Sequence, residues 1–453
     1  MTSTLEVDDT NINKEKLIWK KVNDNSINFI RLIFTDIFGF AKNVTIHIDE
    51  LNQALNGELM FDGSSIDGFA RVDESDMYLK PDLNTFEIYP WKPNDKGIAH
   101  VFCDVYNTDG TPFEGCPRNI LKRVLKEAAE MGYQLNVGAE GEFFLFYLDD
   151  KGEPLFDIHD HAGYFDLSPI DKGEDARQDI ILTMKKLGFH VEASHHEVAP
   201  GQHEVDFKYD DALSIADKWM TFKQIVKNVA NKHDLYASFI PKPFAGQNGN
   251  AMHCNQSLQD KDGNNVFFDD NTENQLSDTA LYYIGGLLKH AKGMAAITNP
   301  TNNSYKRLLP NYEAPTNIAW SGSNRSALIR IPGVRGNKTR IELRNPDPTA
   351  NPYLVFATML KAGIDGIKNE INPPREINGN LFEMKESERE KNGISRYPRD
   401  LHSALEYMRE DSLIKEVLRE HAYNIFISAK QKEADEYAKQ VHQWEIKEYL
   451  KIY

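Results

Sequence analysis

Two pairs of acidic residues stand at spacings that could gather carboxylates. Glu140 and Glu142, in Gly-Ala-Glu-Gly-Glu-Phe-Phe, are two apart among strand-forming residues, so a period of two directs both side chains to one face. Unpaired, they would repel; the plain alternative is a solvated strand face. In Glu197-Val-Ala-Pro-Gly-Gln-His-Glu204, a turn centred on Pro200 and Gly201 predicts that Glu197 lies directly across from Glu204. Like charges facing each other in a hairpin are destabilising, and a bound cation would reverse that sign. Hard divalent ions such as Mg²⁺ or Mn²⁺ suit converging carboxylates better than zinc does. The alternative here is a solvated hairpin tip.

His195, His196 and His203 flank the second pair, and His253 follows the loop Gly246-Gln-Asn-Gly-Asn-Ala-Met. A lone histidine is usually a surface or core residue, so His253 gains weight only from the glutamates elsewhere. Between Arg307 and Arg344 the chain also carries Arg325, Arg330, Arg335 and Arg340. Guanidinium groups grip carboxylate and phosphate bidentately and stabilise a phosphoryl group in transfer. A set of structural ion pairs would use the same residues.

These side chains need elements to hold them. Residues 27–34 and 40–48 read as two strands around a turn at 36–39, within a strand-rich unit spanning about 17–105. Residues 112–117 form a Pro- and Gly-marked linker. Ile120, Leu121, Val124, Leu125 and Ala128 then recur at helical spacing, with Gly132 as a stop. Residues 137–148 predict a strand, 176–187 a helix ended by Gly188, 189–209 a pair of strands around a turn, and the stretch from Leu401 is helical. There is no internal repeat, Walker phosphate loop or dinucleotide-type glycine fingerprint.

The chain has 453 residues, enough for at least two folding units. With 69 acidic and 52 basic residues its formal charge is −17, which argues against direct nucleic-acid binding or a membrane-surface role. A small anionic substrate would need a local basic pocket or metal ions. Cys103, Cys116 and Cys254 show no metal-ligand or redox spacing and fit a reducing cytoplasm. Residues 1–13 are polar and acidic, unlike a signal peptide, and no apolar run is long enough for a bilayer, so the expectation is a soluble cytoplasmic protein.

Three ordered motifs carry a resemblance that runs over nearly the whole chain: Met-Phe-Asp-Gly-Ser-Ser-Ile from Met60, His-His-Glu-Val-Ala-Pro-Gly-Gln-His-Glu from His195, and Asn-Pro-Thr from Asn299 into Ser-Tyr-Lys-Arg from Ser304. The chain resembles type I glutamine synthetase. The resemblance implies an α+β architecture: a polar tail (1–14), a small β-grasp-like domain (15–111), and a larger catalytic α/β domain (118–453) with a helical C-terminal tail.

It also implies ATP-dependent ligation of ammonia to glutamate through a γ-glutamyl phosphate, with at least two Mg²⁺ or Mn²⁺ ions. Glu142, Glu197 and Glu204 would hold one ion, and Glu140, His253 and Glu342 a second. Glu192, Phe207, Tyr209, Asn255, Ser257 and Arg330 would bind ATP. Asn248, Gly249, Arg307, Arg325 and Arg344 would bind glutamate and phosphate. Asp62, from a neighbouring subunit, would help deprotonate ammonium, Glu313 would be the flap carboxylate that shields the intermediate, and Arg325 would act at the reacting centre. Arg71 resembles a glutamine-feedback position. The family forms a dodecamer of two stacked hexameric rings, and this branch implies nitrogen-regulatory transcription factors as partners.

Departures from the family pattern are informative. Phe382 stands where the adenylylated branch has tyrosine, so that control is not expected. Gly141 replaces a proline, Asn311 a glycine, and Asn250-Ala251 a Ser-Gly pair; Ala251 lacks glycine's freedom at positive φ, which bears on the shape of the substrate loop. A related γ-glutamyl ligase using an organic amine and a non-catalytic glutamine sensor are the competing readings. Asp62 and Glu313 favour ammonia over an organic amine.

Overall fold

The computed structural model describes residues 4–66, 68, 76–91, 97–158, 160–322, 324–377, 379 and 381–453, with the backbone alone at 4–12 and 158. Arg71 lies outside the described residues.

The polar segment read as a tail is the start of a helix, α1 (Thr4–Asp24). Ile18 and Val22, one turn apart, are both 3% exposed in the core of the N-terminal unit, and Trp19 Nε1 donates to Asn52 Oδ1 at 3.2 Å. Tertiary anchoring at this end supports a helix whose polar beginning shows no apolar period. Strands β1 (Ile27–Thr35) and β2 (Ala41–His47) form the expected hairpin, with Leu32 opposite Val44. After α2 (Leu51–Leu55) come β3 (Leu59–Asp62), β4 (Asp76–Pro81), β5 (Glu87–Ile88) and β6 (Gly97–Asn107). The sheet order is β2-β1-β6-β4-β3, with β5 on β6 and β1 parallel to β6.

Alternation along β1 joins the two units. Ile30, Leu32 and Phe34 enter the small N-terminal core, whereas Ile33, with Phe102 of β6, enters the large core of the second unit. A sheet covered on both faces needs the near-continuous apolar runs that β1 and β6 carry. Arg118 fastens the same seam, bonding Asp82 and Asp104 at 2.7 Å and Asp217 at 2.9 Å.

The second unit opens with α3 (Pro117–Glu130), whose Pro117 occupies the first turn where no amide donor is needed. It continues through β7 (Gln134–Leu148), β8 (Pro154–Ile158), α4 (Glu174–Lys186), β9 (Val191–His196), β10 (Gln202–Phe207), β11 (Asp210–Asp211), α5 (Ala212–Lys232), β12 (Leu235–Ser238) and β13 (Cys254–Gln259). Then follow α6 (Asp278–Thr298), α7 (Ser304–Arg307), β14 (Asn317–Ser321), β15 (Ala327–Arg330), β16 (Ile341–Leu343), α8 (Pro352–Lys368), α9 (Glu386–Lys391) and β17 (Ser395–Arg396). The helical end is α10 (Leu401–Glu410), α11 (Ser412–Ala438) and α12 (Gln443–Tyr449).

A large sheet runs β17-β14-β15-β16-β13-β7-β10-β9, and β8, β11 and β12 also pair with β7. Helices α6 and α8, almost wholly buried, pack in the main core, where a Cβ on Gly286 would stand 2.1 Å from the Ala362 carbonyl oxygen. The architecture is α+β: a small N-terminal sheet, a larger mixed unit, and a helical C-terminal end. Among the described residues, no helix is long and apolar enough to cross a membrane.

Candidate active site

Strand β7 is the axis of the site. Its neighbour β10 sets Glu142 opposite Glu204 and Glu140 opposite Asp206, so four carboxylates share one face. On the far side of β10, β9 sets His195 opposite Glu204. The expected pairing of Glu197 with Glu204 is therefore corrected. Glu197 donates its amide N–H to the Gln202 carbonyl at 2.8 Å, and a tight turn joins the Gln202 N–H to the Ala199 carbonyl at 3.0 Å. The ladder closes two residues from the expected register. Because the shift is even, Glu197 keeps the same face as Glu204.

On the other side of β7, β13 and β16 bring in His253 and Glu342, and β15 pairs Arg330 with Glu342. The result is a cavity of about 230 Å³. All six carboxylate and histidine residues expected to hold metal line it: Glu140, Glu142, Glu197, Glu204, His253 and Glu342. So do Asn248, Gly249, Arg307, Arg325, Arg344, Arg330 and Glu313.

A second cavity of about 440 Å³ adjoins it, with Glu140 and Asp206 lining both. Glu192, Phe207, Tyr209, Asn255 and Ser257, expected at the nucleotide, line this second space. Arg330 does not; it faces the first cavity, where its Nη1 bonds Glu342 Oε2 at 2.6 Å. Asp62, at the end of edge strand β3, is exposed and lines neither cavity of its own chain.

Burial and mutual repulsion dominate the electrostatics. Glu142 is held well above the ordinary carboxylate range by burial and by Glu197, and Glu204 by burial, Asp206 and Glu142. Asp206 is pushed up to about 7 by burial and Glu140. His253 is driven well below its usual value by burial and by Arg344, so its ring is neutral. Its Nδ1 lies 2.8 Å from Glu140 Oε2, while its buried Nε2 has no hydrogen-bond partner. The same Nδ1 stands 3.8 Å from Glu342 and 4.0 Å from Glu142, so a neutral ring nitrogen sits among repelling carboxylates, a donor set that fits a divalent cation.

Two guanidinium groups already reach Glu342, Arg330 on one oxygen and Arg344 on the other. Arg307, 2% exposed, donates to the carbonyls of Asn345 at 2.8 Å and Arg344 at 3.0 Å, which fixes its head at the cavity wall. Glu142 is held by the Ala251 amide at 2.7 Å and by Gln202 Nε2 at 3.2 Å. Ala251 is absent from the positive-φ residues, so the loop does not use the glycine freedom it lacks. Asn311 does sit at φ 69°, a conformation asparagine tolerates better than most residues.

Sequence reasoning missed Asp206, although it follows Glu204 at the same period of two as Glu140 and Glu142. It also missed Tyr164, which lines the first cavity, and gave no role to Arg340, which lines the second and donates from Nε to Asn255 Oδ1 at 3.0 Å. Arg335 turns away and bonds the Asn274 carbonyl.

Both parts of the chain have counterparts among known proteins. Residues 26–108 match the glutamine synthetase β-grasp domain, and residues 114–449 match the glutamine synthetase catalytic domain. Curated relatives include a glutamine synthetase of Clostridium saccharobutylicum, 55% identical over 97% of this chain and 99% of that protein. Another, from Staphylococcus aureus, is 53% identical over 96% of this chain and 98% of its own length. Among solved structures, a GmaS/ADP complex superposes with a TM-score of 0.87 at 32% identity, covering 95% of this chain and 99% of that one. A Plasmodium falciparum glutamine synthetase gives a TM-score of 0.85 at 27% identity, covering 97% of this chain and 98% of that one. With both domains matched in order and more than half of its residues shared with relatives of equal length, the chain belongs to the glutamine synthetase family, ATP-dependent ligases that join ammonia to glutamate.

Proposed function

We propose that the two adjoining cavities divide the reaction, the larger holding ATP and the smaller holding glutamate, ammonia and the divalent ions. The observation that carries this reading is the convergence of Glu140, Glu142, Glu197, Glu204, His253 and Glu342 on one cavity that also bears Arg307, Arg325, Arg330 and Arg344. Glu142, Glu197 and Glu204 hold one Mg²⁺ or Mn²⁺, and Glu140, His253 and Glu342 a second. When bound, these ions neutralise the phosphate oxygens and polarise the phosphoryl group for transfer.

The chain's own residues do the rest. Asn248 and Gly249 orient glutamate, and Arg307 meets its carboxylate. Glu192, Phe207, Tyr209, Asn255 and Ser257 seat the nucleotide, and the likeness to a GmaS solved with ADP supports a nucleotide there. The γ-carboxylate of glutamate attacks the terminal phosphorus of ATP, ADP leaves, and the resulting γ-glutamyl phosphate carries a far better leaving group than hydroxide. Arg325, Arg330 and Arg344 stabilise the charge that builds on the phosphoryl oxygens. Ammonia adds to the acyl carbon and phosphate departs, leaving glutamine.

Asp62 takes the proton of ammonium in a neighbour's cavity. Its exposure on an edge strand, outside the lining of both cavities of its own chain, supports that assignment. Glu313 closes the rim as a flap. Assembly into two stacked hexameric rings follows, and exposed Trp444, Ile446, Leu450 and Ile452 at the C-terminal end support docking onto another copy. Buried free thiols at Cys103, Cys116 and Cys254 support work in a reducing cytoplasm. Regulation by glutamine through Arg71 and through nitrogen-regulatory transcription factors extends the same reading.

The test is phosphate release from ATP with glutamate and Mg²⁺, comparing ammonium with a panel of organic amines. Release that requires ammonium and yields glutamine supports the assignment. Release only with an organic amine moves the protein to a related γ-glutamyl ligase, and no release with any acceptor favours a sensor.

A further inference from the structure

Lys242 stands just behind the wall of the smaller cavity, 7% exposed, and lines neither cavity. Burying an ammonium group is costly unless it is well partnered. Among the described residues no carboxylate lies within ion-pair reach of it. Its Nζ instead bonds the Gln247 carbonyl and lies 3.8 Å from the centroid of the Tyr312 ring. Gln247 precedes Asn248 and Gly249, and Tyr312 precedes Glu313, so one ammonium touches both the substrate loop and the flap.

Each end of this bridge is built for the contact. The Lys242 backbone is clamped to Asn303, its N–H donating to Oδ1 at 2.7 Å and its carbonyl accepting from Nδ2 at 3.0 Å. The loop folds back on the same segment through the Asn250 N–H and the Pro241 carbonyl at 2.8 Å. A Cβ on Gly249 would stand 2.1 Å from that Pro241 oxygen, so only glycine permits the approach. On the flap side, Asn311 at φ 69° and Glu313 at φ 54° flank Tyr312 in a conformation that L-residues rarely hold without support. The support comes from the Lys242 ammonium on the Tyr312 ring and from Arg344 Nη2 donating to the Glu313 carbonyl at 3.3 Å.

We propose that Lys242 is a positioning residue that latches the glutamate-binding loop to the flap, so that seating glutamate and closing Glu313 over the acyl phosphate become one event. This rests on the functional reading above. A desolvated cation over an aromatic face and a charge-assisted bond to a carbonyl act together, and neither survives if loop or flap moves alone. The consequence is protection from water. In an open flap, a water oxygen bonds to the γ-carbonyl carbon, the carbon–oxygen bond to phosphate breaks, phosphate leaves with the bonding pair, and the surplus proton passes to solvent. Glutamate is regenerated and ATP is spent without glutamine.

The experiment measures phosphate released per glutamine formed, together with the KM for glutamate and for ATP, in the full-length enzyme and in Lys242→Met, Lys242→Arg and Tyr312→Leu. The parent should give a ratio near one. Lys242→Met should raise the ratio and the glutamate KM by about tenfold, with the ATP KM unchanged, and Lys242→Arg should recover much of the loss because it restores a cation. Tyr312→Leu should raise the ratio while leaving Lys242 in place, and it decides the matter if Lys242→Met fails to fold. A ratio that stays at one in every variant that folds, whatever happens to the rate, overturns the latch. If the parent itself makes no glutamine, the functional reading fails first, and the two failures are thereby told apart.

Discussion

Glu142 lies directly opposite Glu204 in the ladder between β7 and β10, with Glu140 opposite Asp206 two pairs further along, on the same face. Facing carboxylates of this kind destabilise a sheet, and burial here makes the repulsion worse. The arrangement is consistent with a site that spends stability to gather negative charge for cations.

That cost predicts a pH dependence in the metal-free protein. Asp206 rises from an ordinary 3.8 to about 7, through burial and Glu140, and Glu142 and Glu204 shift in the same direction. For a group whose folded value is raised, its contribution is fully present below the ordinary value and is lost as pH climbs through the folded one. The thermal midpoint of chelator-treated protein should therefore fall between about pH 4 and pH 7. Excess Mg²⁺ should flatten or reverse the slope, because a bound ion favours the charged carboxylates. A metal-free midpoint that rises over this window would contradict the electrostatic picture.

Removing one ligand should separate metal binding from folding. Glu197 is at the hairpin tip, bonded through its backbone to Gln202, so Glu197→Ala leaves the ladder intact while deleting a carboxylate from the cavity. Divalent-ion affinity and glutamine formation should each drop by about 100-fold or more, with the circular dichroism spectrum unchanged. Titration calorimetry with Mn²⁺ reads the first quantity directly, and unchanged affinity would remove Glu197 from the ligand set.

How far these groups could be read in advance depended on local period. Glu140 and Glu142 were legible because strand alternation fixes a shared face whatever the partner strand does. The hairpin was legible too, but its register was not: the turn at Pro200 and Gly201 is asymmetric, which moved Glu204 from Glu197 to His195. Asp206 carries the same period-two signal as its neighbour Glu204. The burial of α6 and α8, apolar on most sides, leaves little one-sided period to read, and α1 depends on Ile18 and Val22 finding the N-terminal core. The convergence of β13 and β16 beside β7 brings residues from distant parts of the chain together, which no local pattern announces.

A histidine far from the chemistry should control stability with the opposite experimental signature to that of a catalytic group. His290 on α6 lies 2.8 Å from Asp411, which caps α11, and 3.0 Å from Asp365 on α8. Burial alone would lower its value, but the hydrogen bonds to Asp411 and Asp365 outweigh burial and raise it. The charged ring joins three helices, so its contribution is complete below the ordinary histidine value and fades as pH rises through the raised one. His290→Asn should lower the thermal midpoint below pH 6.5 by on the order of 2–4 °C and lose part of that deficit in alkali, with the glutamate and ATP KM values unchanged. An equal deficit at every pH would show that packing rather than charge holds this junction.

The seam between the two units should be the most sensitive ion-pair position. Arg118 is 2% exposed and holds Asp82 and Asp104 from the N-terminal unit together with Asp217 from α5, and Tyr353 donates to Asp217 Oδ1 at 2.6 Å. Replacing Arg118 with Met fills similar space but leaves three carboxylates without their shared cation, and breaking a buried pair from one side costs about 3–5 kcal/mol. Arg118→Met should unfold at lower denaturant concentration. Arg118→Met combined with Asp217→Asn should recover part of the loss, because one of the stranded charges is then gone. If the double variant is no more stable than the single one, Asp217 does not share the burden. The repulsion would then lie between Asp82 and Asp104 alone, inside the N-terminal unit rather than across the seam.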